Sequence, residues 1–455
     1  MNLLLAELAK WCGGTIEPPE AGGIRIRGVS SDSRTIKAGE LFVAINGLKQ
    51  DGHKFVKPAM AAGAAAAVVE KYLGEYGSMP LVMVGDSLKA LGDMANGYRW
   101  HPPLIPWVAV TGSNGKTTTR ELLSLILGTR WKVRTSSRNW NNLVGLPLSM
   151  LGGPDDARAA VMEFGTGGPG EIARLREICV PTLAIITSTG DTHLEGFGSS
   201  QGVAREKAEI FKWLRQDGLA VFPADDANFD ILRAGAPGRQ ATFSLSGRPA
   251  DLNAGDIRLT ASGSEFTAEG VKITLPLLGL HNIGNCLAAM LAARHLGIPF
   301  AEAGEALGRA KPVAGRLQPL ATAAGLLVIN DSYNANPNSV LAALNVLADL
   351  PEGRKIAVVG DMLELGRESR RLHREVGLSA GLMDIDALFT VGSESAAMAE
   401  AAQASVRLVV HHYSSLEALW LDLRGFLLPG DRVLVKGSRG MLMERVVNQL
   451  LDWFP

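Results

Sequence analysis

Trp107-Val108-Ala109-Val110-Thr111-Gly112-Ser113-Asn114-Gly115-Lys116-Thr117-Thr118 decides the reading of this chain. Its first four residues are a short apolar run of strand character, and Arg120-Glu121-Leu122-Leu123-Ser124-Leu125-Ile126-Leu127 carries a helical pattern. Between them, glycines let successive backbone N–H groups face an anion, and the helix N-terminus adds partial positive charge. Lys116 is placed to reach β- and γ-phosphates, and the Thr117 hydroxyl suits magnesium. The common form of such a loop, GxxxxGK[ST], needs glycine where Val110 stands, so the spacing here is the shorter GxxGKT. The bland alternative, a glycine-rich turn followed by an exposed lysine, does not account for the strand before and the helix after.

Outward from the loop, the same rhythm repeats. Ala160-Val161-Met162 and Leu183-Ala184-Ile185-Ile186 read as strands, followed later by 326–329, 355–359, 388–391 and 432–435, with helical patterns between. Such alternation predicts an α/β fold with parallel sheets covered on both faces. Ile24–Arg27 and Leu41–Ile45 predict strands in an N-terminal piece that also holds one Ala-rich helix. Ligands in parallel sheets bind beyond the carboxyl ends of strands, so the loops after strands are the candidates for chemistry.

The 455 residues suit roughly three domains. Three prolines in Trp100–Pro106 and the segment Ala314–Pro319 mark hinges, giving expected domains of 1–100, 101–317 and 318–455. Lys+Arg 45 against Asp+Glu 46 offers no bulk charge for nucleic acid or anionic lipid. Cys12, Cys179 and Cys286 are far apart, which excludes a CxxC knuckle and points to a reducing compartment. Met1–Glu7 lacks the features of a signal peptide, and the apolar run Pro58–Val69 falls short of the ~20 residues that span a bilayer. A cytoplasmic location without a membrane span is the expectation, as is a monomer.

Three further residues come forward as candidates. Glu163 ends the 160–162 strand, where a carboxylate beside a phosphate loop suits a second position on magnesium. His193 follows the 183–186 strand and suits a metal or a phosphate, although a lone loop histidine is ordinarily structural. Lys207, in Ala204–Ile210, reads by composition as a solvated lysine on a helical surface.

The loop at 111–118, Glu163-Phe164-Gly165 and Gly279-Leu280-His281-Asn282-Ile283-Gly284-Asn285 together resemble the Mur ligases, the ATP-dependent amide-forming enzymes of peptidoglycan precursor synthesis. Asn139-Trp140-Asn141-Asn142, Asp331-Ser332-Tyr333-Asn334-Ala335-Asn336-Pro337, Gly360-Asp361-Met362-Leu363-Glu364-Leu365-Gly366 and Lys436-Gly437-Ser438-Arg439 resemble the members that add D-alanyl-D-alanine to UDP-N-acetylmuramoyl-tripeptide. The DNPR-type signature of the diamino-acid-adding members is absent. The resemblance implies three domains: a small N-terminal α/β domain for the UDP-sugar, a central ATPase-type parallel sheet and a C-terminal Rossmann-like α/β domain. Val359-Gly360-Asp361 lacks GxGxxG, so dinucleotide binding is not implied.

Residue by residue, the resemblance implies ATP at Thr111, Gly112, Ser113, Asn114, Gly115, Lys116, Thr117 and Thr118, with Asn282 and Asn285 at the adenine. Arg316 and Asp331 complete that site on closure. Thr117 and Glu163 hold one magnesium, and His193 and a carbamylated Lys207 hold a second. Ser31, Asp32, Ser33, Arg34 and Asn142 face the UDP-sugar, and Asn334, Asn336, Lys436, Ser438 and Arg439 face the dipeptide. Lys116, Glu163, His193 and Lys207 are the catalytic set. Ser188, Thr192 and Phe164 depart from the family's usual residues, each beside an implied ligand. A related amino-acid ligase and a nucleotide-dependent switch are the competing readings.

Overall fold

Val108 and Val110 face one side of their strand while Trp107 and Ala109 face the other, and both sides are buried. The computed structural model describes residues 1–47, 50–72, 77–137 and 139–454. In it, Trp107–Thr111 lies inside a seven-stranded parallel sheet. The order is Leu252–Asn253, Arg239–Ser244, Leu219–Pro223, Leu183–Ile186, Trp107–Thr111, Ala159–Glu163, Val133–Thr135. Helices Lys116–Leu127 and Leu280–His295 cover the valine side. Helices Ser87–Arg99 and Glu171–Cys179 cover the other, so the central strands Leu219–Pro223, Leu183–Ile186, Trp107–Thr111 and Ala159–Glu163 are buried along their whole length and mostly apolar, as burial on two faces requires. Truncating a side chain as large and buried as Trp107 costs about 3–5 kcal/mol.

The chain leaves Trp107–Thr111 toward one sheet edge and later returns to pair on its opposite side with Leu183–Ile186. That reversal opens a crevice at the carboxyl ends of three adjacent strands. The loops opening on it begin at Gly112, Phe164 and Thr187.

An N-terminal sheet runs Thr15–Glu17, Leu81–Met83, Ala66–Val69, Leu41–Val43, Val29–Ser30, antiparallel only at its first pair. Its Leu41, Val43 and Val68 share one continuous core with Trp107 and Met162 of the central sheet. The C-terminal sheet runs Gln318–Ala321, Leu327–Asp331, Arg432–Lys436, Lys355–Gly360, Ala387–Val391, Val409–Tyr413, antiparallel only at its first pair. Arg432–Lys436, the last strand in chain order, inserts between two earlier ones, which makes a second crevice lined by Asp331 and Lys436.

The apolar run Pro58–Val69 holds two elements: helix Val56–Ala61 stops before Gly63, whose φ of 95° no helix accommodates, and Ala66–Val69 is a buried strand. One expectation needs correction: parallel sheets alone do not describe the middle of the chain. Gly255–Thr260, Gly263–Ala268 and Val271–Leu275 form a separate antiparallel sheet. Among the described residues, no helix is long and apolar enough to cross a membrane.

Candidate active site

The loop after Trp107–Thr111 depends on its glycines. Gly112 (φ 152°) passes so close to the neighbouring loop that a Cβ there would lie 1.9 Å from Thr187 Oγ1. Gly115 (φ 82°) sits against helix Leu280–His295, where a Cβ would meet Asn285 Oδ1 at 2.2 Å. Ser113 N donates to Ser188 O (2.8 Å) and Asn114 N to Ser188 Oγ (3.1 Å), so two strand ends hold the loop in common. Thr111 Oγ1 donates to Phe164 O (2.9 Å), adding a third. Lys116 opens helix Lys116–Leu127, and its Nζ donates to Gly112 O at 2.6 Å. Burial pushes its ammonium down to about 8, with Glu163 opposing and Arg316 adding to the shift. Thr118 lines the cavity beside it.

Glu163 is the hub of the next layer. It is 2% exposed. Its carboxylate accepts from Thr117 Oγ1 (2.9 Å) and Asn141 Nδ2 (2.9 Å), and Arg120 Nη1 lies 3.3 Å away. Thr117 Oγ1 in turn accepts from Arg316 Nη2 at 2.9 Å, which ties the second hinge to the loop. Asn282 and Asn285 share one helix face: Asn285 Nδ2 donates to Asn282 Oδ1 (2.9 Å), and Thr119 Oγ1 donates to Asn285 Oδ1 (3.2 Å). Gly279 caps that helix, so Asn282 is not its cap.

His193 stands at φ 52°, heading the turn Leu194–Phe197, and its Nδ1 is 2.6 Å from Glu364 Oε2. Burial lowers the imidazole pKa, Glu364 opposes the shift, and the nearby Lys207 and Lys116 charges reinforce it. Lys207 is not solvated, contrary to its compositional reading: it is 2% exposed on helix Ser200–Ala208. Its ammonium makes no hydrogen bond or ion pair among the described residues, and burial, with Lys116 adding, holds its pKa far below the usual lysine value. The adjacent Glu206 is spent on Gly170 N and Ile172 N (2.9 Å each) at the start of helix Glu171–Cys179.

Across the crevice, Lys436 Nζ donates to Asp331 Oδ2 (2.6 Å) and Asn334 O (2.8 Å). Asp331 Oδ1 accepts from Leu317 N (3.1 Å), and Arg316 stacks 4.2 Å from the Tyr333 ring centroid. Asn336 caps helix Pro337–Ala348 through Ser339 N (2.9 Å), and its Nδ2 donates to Asn114 Oδ1 (2.7 Å). Ser438 Oγ accepts from Leu363 N (2.8 Å), and Arg439 N donates to Asn334 Oδ1 (3.2 Å).

These groups enclose one cavity of about 580 Å³. It brings together Lys116, Glu163, His193, Asn282, Asn285, Arg316, Asp331, Asn334, Asn336, Lys436, Ser438, Arg439 and Asn142. Thr111, Gly112, Thr117 and Lys207 stand behind its wall rather than on it. Asn142 Oδ1 accepts from Gly145 N (2.8 Å). Ser31–Arg34 are not brought to the cavity; they form a turn in the N-terminal sheet region, where Arg34 draws the Asp32 carboxyl down to about 2. Among the described residues, no group of three or more His, Cys, Asp or Glu is arranged to hold a metal alone. Residue reading passed over Asn141, Arg120 and Glu364. Only their place beside assigned positions in quoted motifs pointed to them.

Family models for the "Mur ligase family, catalytic domain", the "Mur ligase middle domain" and the "Mur ligase, glutamate ligase domain" match residues 25–99, 110–293 and 315–439 in that order. The chain is 36% identical to the UDP-N-acetylmuramoyl-tripeptide–D-alanyl-D-alanine ligase of Escherichia coli, over 99% of each chain. It is similar to the crystal structure of MurF from Acinetobacter baumannii (TM-score 0.92, 30% identity, 99% of each chain). It is also similar to MurF of Thermotoga maritima in complex with ADP (TM-score 0.83, 27% identity, 94% of this chain and 98% of that one). With the phosphate loop, the Glu163 hub and the facing C-terminal residues already in one cavity, this likeness along the whole length leaves one conclusion: the chain belongs to the Mur ligase family.

Proposed function

We propose that this chain joins D-alanyl-D-alanine to the terminal carboxyl of UDP-N-acetylmuramoyl-tripeptide at the expense of ATP, yielding the pentapeptide nucleotide, ADP and phosphate. The observation that carries the reading is the meeting of the phosphate loop and Glu163 with Arg316, Asp331 and Lys436 across one cavity. In this reading residues 1–100 bind the UDP-sugar, 101–317 bind ATP and 318–455 bring the dipeptide. Ser31–Arg34 and Asn142 serve the UDP-sugar, and the protein acts as a cytoplasmic monomer.

Attack of a carboxylate on a polyanionic nucleotide is opposed by charge repulsion. Lys116 and the N–H groups of the loop offset it where charge develops. Arg316 adds a cation from the hinge, and Asn282 and Asn285 hold the adenine. The product of transfer is an acyl phosphate, whose phosphate is a far better leaving group than a carboxylate oxygen. Attack by the dipeptide amine then forms the amide bond, expels phosphate and releases a proton. Asn334, Asn336, Lys436, Ser438 and Arg439 orient that amine and exclude water.

The Thr117 hydroxyl and the Glu163 carboxylate, 2.9 Å apart, offer the oxygen donors that magnesium prefers and would hold one ion, and His193 with a Lys207 carbamate would hold a second. Magnesium bound there supplies charge neutralisation to the phosphates. Lys207 supports its own part in this because an unpartnered, buried amine with a depressed pKa is neutral enough to add carbon dioxide, forming an N–C bond and releasing one proton.

Phosphate release tests the whole. It is expected only when ATP, the tripeptide nucleotide and D-alanyl-D-alanine are all present, and to disappear in Lys116→Ala. Equal release from ATP alone favours the switch reading and contradicts the ligase.

A further inference from the structure

Four carboxylates line the cavity among the described residues, and three are already committed. Glu163 is held by Thr117, Asn141 and Arg120. Asp331 is paired with Lys436 and Leu317 N. Glu171 turns back to Gly167 N at 2.8 Å. Glu364 differs: its side chain is 63% exposed, and its contact is with His193, on the opposite side of the crevice. The loop that carries it is nonetheless firmly held. Asp361 Oδ1 accepts from Ser395 N (2.7 Å), Met362 N donates to His373 Nε2 (3.0 Å) and Leu363 N to Ser438 Oγ (2.8 Å). Met362 and Leu365 are buried on either side, so Glu364 projects from a fixed base.

The bond from Leu363 N to Ser438 Oγ has a consequence for charge. The next residue on one strand of the contact is Glu364, and on the other it is Arg439. Arg439 is 65% exposed, pairs at the rim with Glu444 (3.2 Å) and lies 5.8 Å from the Tyr333 ring centroid. One anion and one cation thus straddle a single hydrogen bond at the cavity edge. A dipeptide zwitterion, with about 7 Å between its charged ends, has the matching polarity.

Resting on the reading above, we propose that Glu364 receives the ammonium group of the incoming dipeptide while Arg439 receives its carboxylate. The contact with His193 sets Glu364 toward the reacting centre, so the captured amine arrives beside the loop that handles phosphate. A substrate lacking the free amine loses this contact, which makes Glu364 a determinant of specificity for an unblocked N-terminus.

The test is steady-state kinetics of Glu364→Gln and Glu364→Asp in the full chain, with N-acetyl-D-alanyl-D-alanine as a competitive inhibitor. Gln keeps an acceptor for His193 but loses the charge. KM for D-alanyl-D-alanine is expected to rise roughly 10- to 100-fold in Glu364→Gln, with partial recovery in Glu364→Asp. KM for ATP and for the tripeptide nucleotide should stay within about twofold. The wild-type enzyme should bind the acetylated dipeptide more weakly than the free one, and Glu364→Gln should erase that preference. An unchanged dipeptide KM, or an equal rise in the KM for ATP, overturns the proposal and leaves the ligase reading intact. Absence of any dipeptide-dependent phosphate release in the wild type overturns both.

Discussion

Replacing Lys207 by methionine is expected to move stability and activity in opposite directions. The side chain is 2% exposed and its nitrogen has no acceptor among the described residues. Burying such a polar group uncompensated costs about 1–3 kcal/mol. Methionine fills nearly the same volume without that cost, at a packing penalty usually below about 1.5 kcal/mol. In bicarbonate-free buffer, Lys207→Met should therefore melt higher than the wild type, by a few degrees. The gain has a pH signature. The folded-state pKa lies below the unfolded value near 10.4, so between them the unfolded chain binds the extra proton and wild-type stability rises with pH. The advantage of Met is thus largest at low pH and narrows as pH climbs toward 10.4. Ligase turnover, by contrast, should fall about 100-fold or more if the Lys207 carbamate holds an ion. Thermal unfolding across pH and coupled phosphate release read the two effects. A methionine variant that melts several degrees below the wild type refutes the claim of an unpartnered amine. Full turnover in that variant refutes the carbamate.

Gly115→Ala should lose nearly all turnover while remaining folded, because its Cβ would meet Asn285 Oδ1 at 2.2 Å in a backbone region at φ 82°; circular dichroism and phosphate release measure the two parts. Asn336→Ala removes both a helix cap and the amide pair with Asn114, and should cost about 1 kcal/mol in denaturant melts as well as weaken dipeptide use. Cys179 and Cys286 are fully buried, and burial pushes the Cys179 thiol up to about 12, so a thiol reagent at pH 8 should reach them only after unfolding. Rapid labelling of either in the native protein contradicts this packing.

What the sequence made legible follows physical period. Trp107–Thr111, Ala159–Glu163 and Leu183–Ile186 are apolar on both faces, and runs of that kind announce themselves without context. The phosphate loop was equally plain, because glycine and lysine at that spacing serve little else. Gly255–Leu275 carries no continuous apolar run: Gly255–Thr260 is mostly exposed, and Val271–Leu275 alternates apolar with polar residues, the weaker signal of a strand buried on one face. Lys207 was misread by composition because burial of a lysine is set by tertiary neighbours, here helix Ser200–Ala208 turning inward, and only family resemblance pointed to it. Glu364 carries no signal beyond its place in the Gly360–Gly366 motif: its contact with His193, 171 residues earlier and 2.6 Å away, is made only by the fold.

The central claim is that the terminal phosphorus of ATP activates a carboxyl group which the dipeptide amine then captures. Labelling the terminal carboxyl of the tripeptide nucleotide with oxygen-18 and analysing the released phosphate by mass spectrometry tests it directly. One labelled oxygen in each phosphate, formed only with dipeptide turnover, is the predicted result. Unlabelled phosphate accompanying amide formation contradicts it.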